Sequence, residues 1–569
     1  MRLLLLLVAF QLRSAASDGA PVANATVAAD SIRDMTRARM AQASFERGRR
    51  SMLPYGAAGA GRCDVRLGRF CWWYDEREPV FPPEPAGIGR RRAELLAELD
   101  ALALRYPGDD WLWGMRVYYR VDGRNLTDAD SVARACHATA WWCAALTGYA
   151  AHALGDASAS DSAFTASLAA MSQELACAWR NIAPLLDDDA RAAYERMPCD
   201  ERLGMERRYW LVSRPQLSMV ANEWRNEFNA RRVLVWLGER GATPHLTTWG
   251  WDAAELVLRY GWPVAWSRIA TSSLAGADPA IIGHDPSPSF AFAPRRILVD
   301  SVLPLADDDW DVEDRGARAR HAPRLVRRVT TVAAQFARFR RGDSTLVVAA
   351  FAAEDDSLRV PMASLGAAAE DGVVGIGRVD VARRGALHVM VAGMPVLAGV
   401  DVADTTTRTL ARVRVGFAAA ARAGRISVSD LLVYRGGGDL VPSLDSALAR
   451  AVAGNVLQRS QPVGLFWETY GLAPEGESVD LSVRVERVDR SLVRSTRQRL
   501  GLAPADAPIR IQWTDARPSA DRAAPHSASL DLGNLDAGRY RLTLTVTVAG
   551  VPAVATIREV TLSAHEVYR

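Results

Sequence analysis

The sequence predicts an α+β multidomain protein. Three observations carry that expectation. From Arg90 to about Gly241 apolar residues recur with a helical period, and after Pro286 the runs alternate with a period of two. The chain has 569 residues, more than one hydrophobic core organises. Apolar content of 49% and charged content of 24% are those of ordinary globular protein. The net charge of +3 excludes a dedicated nucleic-acid binder, which would concentrate basic residues on one face. Lysine is absent, so all 69 basic residues are arginine.

Residues 1–16 read as a secretory signal. Arg2 supplies the positive start, Leu3 to Phe10 an apolar run too short to span a bilayer, and Ser14-Ala15-Ala16 the small-residue site, with cleavage expected after Ala16. An uncleaved anchor is the competing reading. No later apolar run reaches membrane-span length, so the mature chain is expected in the periplasm or outside the cell, with no transmembrane segment.

All six cysteines lie before residue 200, which suits disulfides in an exported protein. Proximity favours Cys63–Cys71, Cys136–Cys143 and Cys177–Cys199 among the possible pairings. The middle pair requires a turn around His137 to Thr139, because two cysteines seven residues apart in one helix would sit about 10 Å apart. Zinc is the competing reading, but CxxC spacing is absent and His137 is the only imidazole nearby. No metal and no cofactor are expected.

Residues 17–87 read as an irregular, disulfide-stapled segment ending in the proline-rich "EPVFPPEPAGIG". Residues 88–180 read as helices. Leu95, Leu99 and Leu102 form one stripe that stops at Pro107-Gly108. Gly123 and Gly155 each close a Trp-led helix and lie 32 residues apart. In the second copy Gly148, Leu154-Gly155-Asp156, Phe164 and Leu168 stand where a helix pair needs a small contact residue, a turn and packing residues. Over about 85 residues this resembles the tetratricopeptide repeat. The resemblance implies a concave groove for a protein or peptide; a plain helical packing module is the alternative.

Residues 181–275 continue with "DDDARAAYERMPC", then "NEWRNEFNARRVLVWLGERG", a helix with Glu227 and Arg231 as i,i+4 partners. In "TTWGWDAAELVLRYGWPVAW" the alternation of Leu256, Leu258 and Tyr260 with Val257 and Arg259 predicts a strand, turned by Gly261-Trp262-Pro263 into a hairpin with "VAWSRI". Trp210, Pro215, Asn222, Glu223, Arg231, Gly250, Trp251, Arg259, Tyr260, Gly261 and Pro263 follow one another as in the GWxTD domain family of exported bacterial proteins, which this block resembles. The namesake corner departs from the pattern: Gly250-Trp251 is followed by Asp252-Ala253-Ala254, without the Thr-Asp pair. The resemblance implies architecture and export rather than a reaction.

Residues 276–328 read as a linker, 329–436 as a β-rich domain, 437–460 as a connector with one short helix, and 461–569 as a C-terminal β-sandwich domain. The loop "GGGDLV" lacks the lysine and spacing of a phosphate loop.

The catalytic motifs HExxH, GxSxG and SxxK are missing, and the eight histidines show no metal-ligand spacing. In "DDDWDVED" Asp307, Asp309 and Asp311 take calcium-loop positions, but Val312 and Arg318 stand where an EF-hand needs Gly and Glu. Glu468 in "FWETYGL" is one acid where glycosidase chemistry needs two. Fourteen of the 17 tryptophans precede Ser267, within apolar helix patterns that point to core. The residues that could still form a binding site are Glu223, Glu227, Trp251, Asp252 and Arg259. The leading expectation is a non-enzymatic interaction or scaffold protein of the cell envelope that docks a protein or peptide partner through its helices. A cell-envelope hydrolase, built on Glu468 or on Glu223, Glu227, Asp252 and Arg259, is the alternative, as is a carbohydrate-binding protein.

Overall fold

The computed structural model describes residues 20–55, 64–72, 83–245, 248–269, 280–285, 288–295, 305–369, 374–379, 382–417, 425–473, 477–488, 508–515 and 523–563. The signal segment 1–16 and the pair Cys63–Cys71 fall outside the described residues or side chains. The chain is α+β: among the described residues eleven α-helices precede Gly261, and the sheets of more than two strands all follow residue 327.

The first helix corrects the expectation of an irregular 17–87. Ala20–Met52 is one long helix, α1. Its buried positions Asp34, Ala38, Gln42, Phe45, Glu46 and Arg49 keep helical spacing, but four of these six are polar, so a hydrophobic period is not visible. Their partners are distant. Gln42 bridges both backbone polar groups of Ala242 at 2.7 and 2.9 Å, and Tyr119 donates to Glu46 at 2.7 Å. Arg49 and Arg92 share Asp122 at 3.0 and 2.9 Å. A short ladder follows, β1 (Val65–Leu67) with β2 (Phe70–Trp72).

Next come α2 (Ala86–Arg105), α3 (Asp110–Asp122), α4 (Leu126–Arg134), α5 (Ala140–Leu154), α6 (Ala157–Ala170) and α7 (Gln173–Arg180). Caps set their boundaries. Asp109 accepts from the Leu112 amide, Asp156 from Ala159 and Ser172 from Leu175. Between α5 and α6, Gly155 takes the left-handed conformation (φ 85°) that ends a helix. Gly148 lets the pair close: a Cβ there would stand 2.8 Å from the Phe164 ring. Cys136 and Cys143 are disulfide-bonded with Cα atoms 5.4 Å apart, across the turn between α4 and α5. Cys177–Cys199 ties α7 to α9.

The third block holds α8 (Asp188–Arg196), α9 (Cys199–Val212), α10 (Glu223–Gly238) and α11 (Trp251–Tyr260), then β3 (Ala265–Ile269) paired with β4 (Ala280–His284). Here the expected strand at Leu256–Tyr260 is corrected to a helix. Leu256 and Tyr260 pack on Leu67 of β1, while Val257 and Leu258 pack on the main helical core. Asp252, Glu255 and Arg259 recur with helical spacing, but the local alternation at 256–260 masks that period in the sequence. Gly261 (φ 92°) ends it. A hairpin-like pair does follow, but β3 pairs with β4 and not with 256–260.

The expected linker 276–328 is packed over its described residues. Phe290, Phe292, Trp310, His321 and Val326 are buried. Trp310 donates to the Val212 carbonyl at 3.0 Å.

Two sheets follow. One comprises β6 (Ala333–Arg341), β7 (Ser344–Ala352) and β10 (Arg384–Ala392) in the order β10-β7-β6. The other comprises β5 (Arg328–Thr331), β8 (Met362–Ala369), β9 (Val374–Val379), β11 (Pro395–Asp404) and β12 (Thr409–Gly416) in the order β5-β12-β11-β8-β9. Val347, Phe351 and Leu387 from the first share one core with Leu365, Val400 and Ala411 from the second.

β13 (Ser427–Val428) and β14 (Leu432–Arg435) correct the boundary expected at 436, because both pair with β16 (Val463–Tyr470) of the C-terminal unit. The connector carries α12 (Leu444–Leu448) and β15 (Val456–Gln458). β17 (Val479–Arg487), β18 (Ile509–Asp515), β20 (Gly538–Val548) and β21 (Val554–Ser563) join β15 in a five-stranded sheet, and β19 (Ala523–Leu530) pairs with β16. Trp467, Leu481, Leu542, Leu544 and Val560 form the core between these sheets.

The helical and β halves are joined by buried polar contacts. Asp401 is fully buried and accepts from Arg414 at 2.6 Å and from the Leu217 amide at 2.9 Å. Leu211, Val212 and Leu217 pack there on Ala368 and Leu397.

Candidate functional site

Helix α10 carries the densest charge network near the expected site. Asn222 caps it by accepting from the Arg225 amide. Glu223, Glu227 and Arg231 then fall in one column, four residues apart. Glu227 receives Arg231 on one oxygen and His152 on the other, both at 2.6 Å. Burial alone would raise the Glu227 carboxyl, but the Arg231 charge and the His152 bond outweigh it and hold it well below the usual range. Arg231 also donates to the carbonyls of Leu258 and Arg320, each at 3.0 Å. It lies over the Trp224 ring, which stacks on His321. Burial pushes His321 down to about 3, so the imidazole is neutral. Its Nε2 is 3.8 Å from Glu223, beyond hydrogen-bond reach. Glu223 accepts from the Arg324 amide at 2.9 Å, and burial raises its carboxyl.

The other expected residues are held elsewhere. Asp252 is clamped by Arg69, whose Nε and Nη2 each donate at 2.8 Å and whose amide donates at 3.1 Å. The bonds from Arg69 outweigh partial burial and hold the carboxyl well below its usual value. Arg259 pairs with Glu255 one turn away and donates to the Pro184 carbonyl. Trp251 is 69% exposed. Asp252 and Arg259 therefore do not join Glu223 and Glu227 in one cleft; each ties α11 to a neighbour instead. Trp266 is buried, and Trp249 and Trp262 pack against the core, so three of the four tryptophans in 247–266 are structural.

Glu468, on β16, is buried and held by both terminal nitrogens of Arg341 at 2.6 and 2.9 Å and by the Tyr470 hydroxyl at 2.8 Å. The acidic run is likewise committed. Asp307 accepts from the Arg414 amide, Asp309 from Ala306, and Asp311 pairs with Arg295. Among the described residues no group of three His, Cys, Asp or Glu side chains is placed to hold a metal ion. No helix among them is long and apolar enough to cross a membrane.

Among the described residues two larger concave features lie near the expected site. A groove of about 570 Å³ runs between α6, α9, α10 and β9, lined by Phe164, Leu168 and Trp210 together with Arg207, Arg214 and Arg225. Arg225 is paired with Asp161, whereas Arg207 is exposed and makes no ion pair among the described residues. Beside it stand Met219 and Val220, 42% and 83% exposed. A cavity of about 550 Å³ lies near the α10 network, lined by Trp72, Tyr260, Trp262, Phe290, Glu227 and His321. Neither is visible in the sequence, because each gathers residues from segments far apart. Glu227 alone of the five expected residues lines the cavity, and none of the five lines the groove.

Known proteins add little. No family model matches the chain, and no curated protein does. Among solved structures, red sea bream transglutaminase aligns at 10% identity over 56% of this chain and 43% of its own length. The chain thus spans less than half of that protein, and the TM-score of 0.14 carries no argument about fold or activity.

Proposed function

We propose that this chain is an exported interaction or scaffold protein of the bacterial cell envelope, docking a protein or peptide partner on its helical half. The groove between α9, α10 and β9 carries the reading: its apolar and arginine lining, an exposed Arg207 with no ion pair among the described residues and the exposed Met219 and Val220 suit an amphipathic segment with acidic residues. The tetratricopeptide-like reading of 88–180 is supported by Gly148 against Phe164 and by the Gly155 cap. Two sheets around each β core support sandwich-like spacers after residue 328. The GWxTD resemblance of 181–275 rests on the order of its residues in the sequence. Two disulfides favour an oxidising compartment, the periplasm or the outside. The hydrolase alternative is weakened because Glu227, Asp252 and Glu468 are each engaged by arginine.

The test is capture from envelope extract by the full-length protein and by an Arg207→Glu, Val220→Asp double variant. A partner retained by the wild type and reduced on the order of tenfold in the variant supports docking at the groove. Equal retention by both, or none by either, contradicts it.

A further inference from the structure

The charges that line the groove between α6, α9, α10 and β9 do not balance. Four arginines face two carboxylates there. Asp161 pairs with Arg225 at 2.6 Å and Glu206 with Arg180 at 3.1 Å. Arg207 and Arg214 are left without an ion pair among the described residues. Arg207 is exposed. Arg214 is half-buried, and its Nη2 donates to the carbonyls of Met219 and Val220 at 2.9 and 2.7 Å. Burial, and then the Arg225 charge, push the Arg214 guanidinium below its ordinary value. A cation so placed is stabilised by a carboxylate brought to it, and a basic segment would be repelled.

The two arginines have a defined spacing. Arg207 and Trp210 are three residues apart on α9, and Arg214 follows just past the helix end at Val212. Seven residues at a helical rise set the arginine backbones about 10 Å apart. Trp210 lies between them along the chain, and its ring packs on Phe228 at 5.2 Å in the groove wall. The order is cation, apolar ring, cation. A polyproline-II segment carries residues three apart on one edge, about 9 Å from each other, and aromatic-lined grooves dock such segments. Short peptides already populate this backbone in water, so little ordering opposes binding. We propose that the groove takes an extended segment of the form acid-apolar-apolar-acid, its carboxylates on Arg207 and Arg214 and an apolar side chain on Trp210. This rests on groove docking and specifies the chemistry of the partner.

The experiment titrates the full-length protein by calorimetry with blocked peptides, up to about 5 mM. Glu-Leu-Leu-Glu is compared with Gln-Leu-Leu-Gln, with peptides whose two glutamates are two or four residues apart, and with a helical peptide whose glutamates are seven apart. Glu-Leu-Leu-Glu is expected to bind about tenfold tighter than its glutamine counterpart, the worth of a charge-assisted bond, and tighter than every other spacing. Arg207→Gln and Arg214→Gln each remove that advantage, and Arg214→Lys restores part of it. Circular dichroism checks the fold, and Arg207→Gln, at an exposed position, keeps the test decisive if Arg214→Gln unfolds. Equal binding of the acidic and glutamine peptides overturns the proposal, as does tighter binding of the helical peptide or an advantage that Arg207→Gln leaves intact. Failure of every short peptide while an envelope partner is still captured overturns the motif and leaves groove docking standing. Binding of the motif with no partner captured supports the motif and counts against the docking function alone.

Discussion

Around Tyr119 the helical half buries Gln42, Glu46, Arg49 and Arg92, and around Leu544 the C-terminal β unit buries Leu481, Val483, Leu542, Val546 and Val560. Both are well packed, but by different means. In the β unit, strand β20 alternates buried Tyr540, Leu542, Leu544, Val546 and Val548 with more exposed positions, so position along the strand settles which face a residue serves. In the helical half, polar side chains hold distant backbone segments in place, as Gln42 holds Ala242 and Arg231 holds Leu258 and Arg320. Aliphatic layers fill space and leave little room. Hydrogen-bonded arginines and aromatic rings bridge gaps between irregular segments, and both the groove and the cavity lie against those segments. On the proposed function, recognition falls mainly to the helical half and support to the β half, with β9 lending Val374 and Ile376 to the groove.

The strongest way to break the comparison is at the junction between the halves. Arg414→Ala leaves the carboxylate of Asp401 buried without its charge partner, and is expected to cost about 3–5 kcal/mol in denaturant unfolding. A loss below about 1 kcal/mol would mean that the halves are not coupled there.

The disulfides come next, and they act only on the helical half. Cys177–Cys199 closes a separation of 22 residues and Cys136–Cys143 one of seven. Chain entropy gives about 3.4 kcal/mol for the longer loop and about 2.5 for the shorter. Paired Cys→Ser variants, compared by melting temperature, should rank in that order; the reverse ranking would assign the stabilisation to local contacts.

Protonation sharpens the contrast further. Burial, against a more distant Arg49 at 3.9 Å, pushes the Glu46 carboxyl up to about 7 from its ordinary 4.5. The native state then binds more protons than the unfolded state. The contribution of Glu46 is fully present below pH 4.5 and is lost as pH rises through 7, by on the order of 3 kcal/mol. His321, pushed down to about 3 from 6.5, acts in the opposite sense, its contribution being lost as pH falls below 6.5. The readout is therefore the stability difference between wild type and Glu46→Gln, which should fall between pH 4.5 and 7. A flat difference removes the polar core from the account.

The smallest effect is expected at the corner tryptophan. Trp251, 69% exposed, can be changed to Ala at a cost within about 0.5 kcal/mol. A larger loss in thermal melting would return it to the core.

The same contrast explains what the sequence disclosed. Runs such as "STLVVAAF" and "GRYRLTLTVTV" are strands β7 and β20, because one face of each is aliphatic. β8, "MASLGAAA", went unread because small residues are buried on both faces and no alternation survives. α1 is hidden because its inward face is polar, and α11 because the alternation at 256–260 masks the helical spacing of Asp252, Glu255 and Arg259. The Glu227–Arg231 pair was legible from its spacing alone, being local to one helix. Its partner His152, the Arg69 clamp on Asp252 and the unpaired nitrogen of His321 were not, since each depends on a contact made across 75 or more residues or on the burial that folding creates.

The division of labour itself is tested by placing a photoreactive side chain at one exposed position in each half of the full-length protein. Val220, 83% exposed beside the groove, reports on the helical half, and Ile557, 59% exposed on β21, on the β half. Irradiated in envelope extract, the Val220 probe is expected to capture a discrete partner that Arg207→Glu abolishes, while the Ile557 probe captures none. Capture from Ile557 with none from Val220 would contradict the account.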